Sequence, residues 1–155
     1  MNGLALRPAT ENDQRTIFEW RNQPFIYERG SLQRPVSWDE HVAWFDASLA
    51  RPGERLLLIV EIEGRPVGLV RFDRTRDTEA TISVYLTQDH AGRGLGSQAI
   101  SRGCEALRGR WDVRHVLACV REDNLAATKA FLRAGFIEAA PAACPPQHRA
   151  FRFAF

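Results

Sequence analysis

A mixed α+β domain is the fold class the sequence predicts, with a mostly antiparallel sheet flanked by helices on both faces. Three observations predict it. Strand-like runs follow one another from Leu56 to Leu86 with no helical pattern between them, which makes an antiparallel meander. Beyond them helical and strand patterns alternate up to the C-terminal residue, Phe155. The chain has 155 residues, 45% hydrophobic and 26% charged. That suits one globular domain over residues 1–155 with one substantial core.

Taken in order, Leu4 to Arg7 is a short strand ended by Pro8. Thr10 is placed as the N-cap of a helix running to about Asn22, with Ile17, Phe18 and Arg21 on one face and Pro24 as its stop. A loop from Phe25 to Val36 follows. Ser37 caps a second helix, in which Val42, Phe45 and Leu49 share a face until Pro52-Gly53 breaks it. Leu56 to Ile62 is a near-continuous apolar run and reads as a buried strand. Glu63-Gly64 turns the chain into a strand from Pro66 to Phe72, and Asp73 to Thr78 reads as the next turn. Ala80, Ile82, Val84 and Leu86 then alternate with Thr81, Ser83 and Tyr85. A Gly-rich turn opens a third helix, with Leu95, Ala99, Gly103 and Leu107 on one face. Val116 to Val120 is a strand, and Asn124 starts a fourth helix closed by Gly135. Strands begin at Phe136-Ile137 and alternate through Phe151, Phe153 and Phe155, with an irregular loop from Ala139 to Pro146 between them. The last strand is either a sheet edge or part of a homodimer contact.

The formal net charge of +2 is too small and scattered to make nucleic acid the main partner. No apolar run approaches the ~18 residues needed to span a membrane. The N-terminal residues lack the apolar stretch of a signal peptide. Cys104, Cys119 and Cys144 are odd in number and widely spaced, which suits neither a disulfide framework nor a zinc site. The expectation is a reducing, cytoplasmic setting, with Cys104 and Cys119 as buried small hydrophobes.

The turn Gly92-Arg93-Gly94-Leu95-Gly96 follows a strand and opens a helix. Small residues let a phosphate approach the backbone, and the helix start offers unpaired N–H groups. Ser97 adds a hydroxyl and Arg93 a cation. A dinucleotide-binding fingerprint would need glycine at position 97 and a parallel sheet. A P-loop would need a Gly-Lys-Ser/Thr ending. Glycine used purely for its conformation remains open.

Gly94-Leu95-Gly96, its preceding strand and the later Asn124-Leu-Ala-Ala127…Phe131…Gly135-Phe136 helix together resemble the GCN5-related N-acetyltransferase (GNAT) family. The resemblance covers roughly Ile59 to Phe136. Ala91 stands where that family carries Arg or Gln. The resemblance implies an enzyme that moves acetyl from acetyl-CoA to a primary amine by direct attack, without a metal. It implies that the glycine turn wraps the pyrophosphate of coenzyme A and that the Asn124 helix lies along the pantetheine arm. It also implies a bulged strand before the turn that splays from the next parallel strand, with Val84, Leu86 and Thr87 offering backbone groups to the arm. One N–H there would hold the developing oxyanion.

Many family members place a Tyr acid where this chain has Phe131. Tyr85 is the other candidate acid, and Glu79 the candidate base. A packed strand Tyr and a solvated strand-end Glu are the plainer alternatives. Trp20-Arg21-Asn22-Gln23-Pro24, Glu40-His41 and Trp44-Phe45 resemble the branch that acetylates nucleotide-linked amino sugars, and also the branch that acetylates protein N-termini. The sugar resemblance implies an acceptor pocket with Trp20, Arg21, Asn22 and His41, and Arg21 near the nucleotide phosphates. Core packing for the tryptophans and a core-boundary place for His41 stay open. Arg21, Arg29 and Arg34 favour the sugar nucleotide, and the segment is not acidic enough to favour a polyamine. A coenzyme A-binding domain without catalysis is the remaining alternative.

Overall fold

The structure is a computed structural model and describes residues 3–155. Its strands are β1 (Leu4–Pro8), β2 (Arg55–Ile62), β3 (Arg65–Arg76), β4 (Glu79–Leu86), β5 (His115–Arg121), β6 (Ile137–Ala139) and β7 (His148–Ala154). Its helices are α1 (Gln14–Arg21), α2 (Pro24–Tyr27), α3 (Trp38–Ala50), α4 (Leu95–Arg108) and α5 (Leu125–Arg133). The seven strands form one sheet in the order β1-β2-β3-β4-β5-β7-β6. Each neighbouring pair is antiparallel except β4 and β5, which run parallel.

Strand alternation sends apolar residues to both faces, so each face needs a helical layer. On one face Val70, Phe72, Ala80, Ile82, Val116, Ala118, Val120 and Phe151 meet Leu95, Ala99, Ile100 and Leu107 of α4 and Phe131 of α5. On the other, Leu57, Ile59 and Leu69 meet Ile17 and Trp20 of α1, Ile26 of α2 and Phe45 of α3. Each such Leu, Ile or Phe contributes roughly 1.5–3 kcal/mol on burial.

The start of α1 is tied to the sheet by Arg7. Its guanidinium donates two hydrogen bonds to Asp13, both at 2.9 Å, and one to Glu61 at 2.9 Å. Asp13 is buried, and Arg7 holds its carboxyl below the usual carboxylate range. Thr10 and Asp13 form a capping box on the 3₁₀ turn Glu11–Asp13 that precedes α1. Ser37 and Glu40 form another at the start of α3.

Several expectations need correction. Pro24 does not merely stop α1; as the first residue of α2, where its missing N–H costs nothing, it starts a further helical turn. The inward residues of α1 are Ile17 and Trp20, and those of α3 are His41, Phe45 and Ser48. Strand β3 continues through the expected turn to Arg76, because Asp73, Arg74 and Arg76 still pair with β4, across an irregularity at Thr75. Strand β7 is no sheet edge, since it lies between β5 and the three-residue β6. Cys119 and Cys144 are joined in a disulfide with their Cα atoms 5.6 Å apart, while Cys104 is buried and free. The count of three hid the pair because spatial proximity, and not spacing along the chain, decides pairing. No helix among the described residues is long and apolar enough to cross a membrane.

Candidate active site

Strands β4 and β5 pair only from Glu79↔His115 to Ile82↔Ala118. Residues 83–86 and 119–121 continue beyond that last rung without pairing to each other. A cleft therefore opens in the middle of the sheet. The ladder of β4 to β3 stays regular from Arg74↔Ala80 to Gly68↔Leu86, and its irregularity falls between Arg74 and Arg76. The expected bulge beside Val84 is thus absent from that ladder.

Backbone alternation says which groups face the cleft. The Thr87 N–H donates to Val67 O at 2.8 Å, towards β3. The Tyr85 carbonyl also points towards β3, where a Cβ on Gly68 would lie 2.3 Å from it. The peptide groups of Val84 and Leu86 therefore turn to the cleft. The Thr87 N–H does not, since Val67 takes it.

The glycine turn sits at the same end of β4. Gly92 and Gly94 both have φ of 75°, in the left-handed region, and Gly94 is the N-cap of α4. Gly96 has a different role: a Cβ there would lie 3.3 Å from that of Ala130, so it lets α4 and α5 approach. A side chain at the N-cap would normally bond the first-turn N–H groups, and glycine has none. Arg93 is exposed beside this turn, and Ser97 donates from Oγ to Gly94 O at 3.1 Å. Leu95 and Phe131 are buried core side chains, so only their backbones can serve a ligand. Asn124 caps α5 by accepting from Ala127 N at 3.2 Å. A helix start behind left-handed glycines, continuous with a cleft that exposes peptide groups, fits a pyrophosphate followed by an extended pantetheine chain.

On the face of α1 and α3, Tyr85 stands beside the cleft with its ring edge-on to Trp20, 6.1 Å between centroids. Its hydroxyl is buried and has no hydrogen-bond partner among the described residues. Burial raises its pKa, and the nearby Arg21 and Arg71 guanidiniums offset part of that rise. The proton therefore stays on the oxygen at neutral pH, ready for donation.

Arg21 is half-buried, and burial disfavours its charge. Its Nη1 donates to His41 Nδ1 at 3.1 Å, and its guanidinium lies 4.5 Å above the Trp44 ring. His41 Nε2–H donates to Gln14 O at 2.7 Å, which leaves Nδ1 as the acceptor. His41 is fully buried and not at the core boundary, so it orients Arg21. Burial, more than the neighbouring Arg21, lowers its pKa. Asn22 clasps Val36 through two hydrogen bonds of 2.7 and 3.0 Å, closing the loop after α2. Glu79 starts β4 beside Arg152, six residues from Tyr85 and so roughly 20 Å away at ~3.3 Å per residue. It lies at the paired end of the strand, away from the cleft.

Sequence reasoning missed Arg71, whose guanidinium lies 5.6 Å from Trp44 and 3.0 Å from Asp73. The signal was available: a lone cation in the apolar run Val67 to Phe72 has to face something polar.

A parallel pair that parts at its C-terminal ends and a glycine-lined helix start at the mouth together suit an acyl-transfer domain of the acetyltransferase type. The acetyltransferase (GNAT) domain family matches residues 4–137, and the chain belongs to it. The chain is similar to an uncharacterised protein of Methanocaldococcus jannaschii, 25% identical over 135 residues that cover 86% of this chain and 28% of that protein. It is also similar to the L-methionine sulfoximine/L-methionine sulfone acetyltransferase of Pseudomonas paraeruginosa, 33% identical over 109 residues that cover 67% of this chain and 62% of that one. The chain thus spans less than two thirds of either relative. Among solved structures, AAC(6')-Ib in complex with ribostamycin and coenzyme A superposes with a TM-score of 0.85 at 19% identity, covering 98% of this chain and 93% of that one. At that identity the likeness bears on the fold.

Proposed function

We propose that the domain transfers acetyl from acetyl-CoA to the primary amine of a nucleotide-linked amino sugar. The observation that carries this reading is Arg21: a half-buried guanidinium whose side-chain partner is a neutral imidazole, with a second cation, Arg71, against the same tryptophan. A desolvated cation without a carboxylate favours an anionic guest, and a pyrophosphate suits it together with Arg71, which engages Asp73 through Nε alone. The same feature disfavours polycationic acceptors. The amine nitrogen attacks the acetyl carbonyl carbon, a cleft-facing N–H of Val84 or Leu86 holds the oxyanion, and the carbon–sulfur bond breaks. Tyr85 hands its proton to the departing thiolate, and the proton that the nitrogen sheds on becoming an amide returns to the tyrosinate.

The methionine sulfoximine enzyme supports a second reading, because the carboxylate of an amino acid would also satisfy Arg21. Thiol release from acetyl-CoA with a panel of amines separates these readings. The panel holds a UDP-linked amino sugar, L-methionine sulfoximine, a peptide with a free N-terminus, spermidine and an aminoglycoside. Turnover of the sugar nucleotide, with an acceptor KM at least tenfold higher in Arg21→Ala, is expected. Preference for the peptide or for spermidine sinks the reading.

A further inference from the structure

The transfer needs a group to take the proton of the acceptor ammonium, and Glu79 is out of reach. We infer that Ser31 and His148 are that proton-accepting pair; the inference rests on the amine-acetylation reading. Ser31 Oγ lies 2.9 Å from His148 Nε2, and His148 Nδ1 lies 2.9 Å from Pro146 O. A carbonyl only accepts, so Nδ1 carries the hydrogen. The neutral ring then presents Nε2 as an acceptor, and the Ser31 hydroxyl donates to it. A hydroxyl held by an imidazole that a third group orients is an arrangement able to move a proton.

Its place in the fold matters as much. Extending the register of β4 and β5 three residues past Ile82↔Ala118 brings Arg121 level with Tyr85. Strand β7 pairs His148 with Arg121. His148 lies an odd number of residues from Phe151, which faces α4 and α5, so His148 faces the Tyr85 side. Two strand spacings of ~4.8 Å separate the Tyr85 and His148 backbones in a closed sheet, so roughly 10 Å, and the opening of the cleft widens this. Tyr85 therefore borders the cleft on β4, and His148 stands across it on β7, one strand behind β5. Ser31 is exposed on the loop between α2 and α3, and its bond to His148 carries that loop across to β7.

The proton path balances. The ammonium gives a proton to Ser31 Oγ as the Ser31 proton passes to Nε2. The products are a neutral amine and an imidazolium with both N–H groups bonded, to Ser31 Oγ and Pro146 O. The charged or titratable groups on the surrounding elements are Arg121 and Glu122 at the end of β5, Arg152 further along β7, Arg29 and Arg34 on the loop, and Tyr85 across the cleft. Arg121 turns to Asp123 at 3.3 Å, Arg152 to Glu79 at 3.9 Å, Arg34 to Glu40 at 3.1 Å and Arg29 to Phe25 O at 2.8 Å. Among the described residues the imidazole bonds to Ser31 and Pro146.

The test compares kcat against pH at saturating amine for wild type, His148→Gln and Ser31→Ala. It uses whichever amine of the panel above reacts fastest with the wild type. Glutamine keeps a hydrogen bond to Ser31 but takes no proton. Wild-type kcat should rise through one deprotonation. His148→Gln should lose that rise and roughly 100-fold in kcat, with the coenzyme A dissociation constant and melting temperature unchanged. Ser31→Ala, at an exposed site, should lose about tenfold by the same argument. A His148→Gln enzyme that keeps the rise and most of its kcat overturns the pair while leaving the acetyltransferase reading intact. A Ser31→Ala enzyme with wild-type kcat overturns the relay through the hydroxyl. A wild type inert towards every amine of the panel sinks the pair and the proposed function together.

Discussion

Tyr85 carries a conflict between stability and chemistry. A buried hydroxyl without a partner costs about 1–3 kcal/mol, and the Tyr85 oxygen is in that position. Tyr85→Phe removes the cost together with the proton. The expected outcome is a melting temperature raised by several degrees and a kcat lowered at least tenfold, read by thermal unfolding and steady-state kinetics on the same preparation. A kcat within twofold of wild type would leave Tyr85 as packing. Strand alternation made Tyr85 legible in the sequence, since a period of two puts it opposite Val84 and Leu86. Arg21 was singled out as a site residue only through the resemblance of Trp20 to Pro24 to the amino-sugar branch. His41 was placed on the right helix, but its burial depends on the angle at which α3 meets α1. Ser31 and His148 carried no signal at all: they are 117 residues apart and sit in stretches with no period.

At the scale of the element, β4 leaves β5 by leaning on β3. Gly68 makes that lean possible, because a Cβ there would lie 2.3 Å from the Tyr85 carbonyl oxygen and 3.1 Å from Leu86 Cα. Both are backbone atoms, which cannot swing aside. Gly68→Ala must push β4 back towards β5 and narrow the cleft. The expected result is a loss of about 1–3 kcal/mol in stability, the usual cost of overpacking, and coenzyme A binding weakened several-fold, measured by denaturant melts and calorimetric titration. Destabilisation with unchanged coenzyme A affinity would separate the lean from the cleft. The meander, the glycine turn and the Asn124 cap were readable because each rests on local chemistry. The length of β3 was not, because the ladder to β4 overrides the polar character of Asp73 to Arg76. Nor was the opening itself, since register is a relation between two strands and period describes one.

For the whole molecule, the Cys119–Cys144 disulfide is the main departure from what composition suggested. Cys119 is the first residue of β5 past the last rung to β4, and Cys144 lies in the loop that leads into His148. The bond spans 25 residues of chain. Closing a loop of that size restrains the unfolded state by about 3 kcal/mol in the chain-entropy account. The Cys119→Ser/Cys144→Ser double variant should lose stability of that order and become indifferent to dithiothreitol in thermal melts. A wild type whose melting temperature does not move with dithiothreitol would contradict the bond. Cys104 contributes no competing thiol, since burial pushes it up to about 12.

The short run of rungs between β4 and β5 means that the sheet is mechanically a book and not a board. One leaf is β1 to β4 backed by α4, and the other is β5 to β7 backed by α5. The spine is the four residue pairs from Glu79↔His115 to Ile82↔Ala118. A second joint lies where Gly96 leaves room for Ala130 between the two backing helices. Tyr85 belongs to one leaf and His148 to the other, so their separation is an angle before it is a distance. A bulkier residue at position 96 would open or close that angle from the opposite face of the sheet, touching neither side chain.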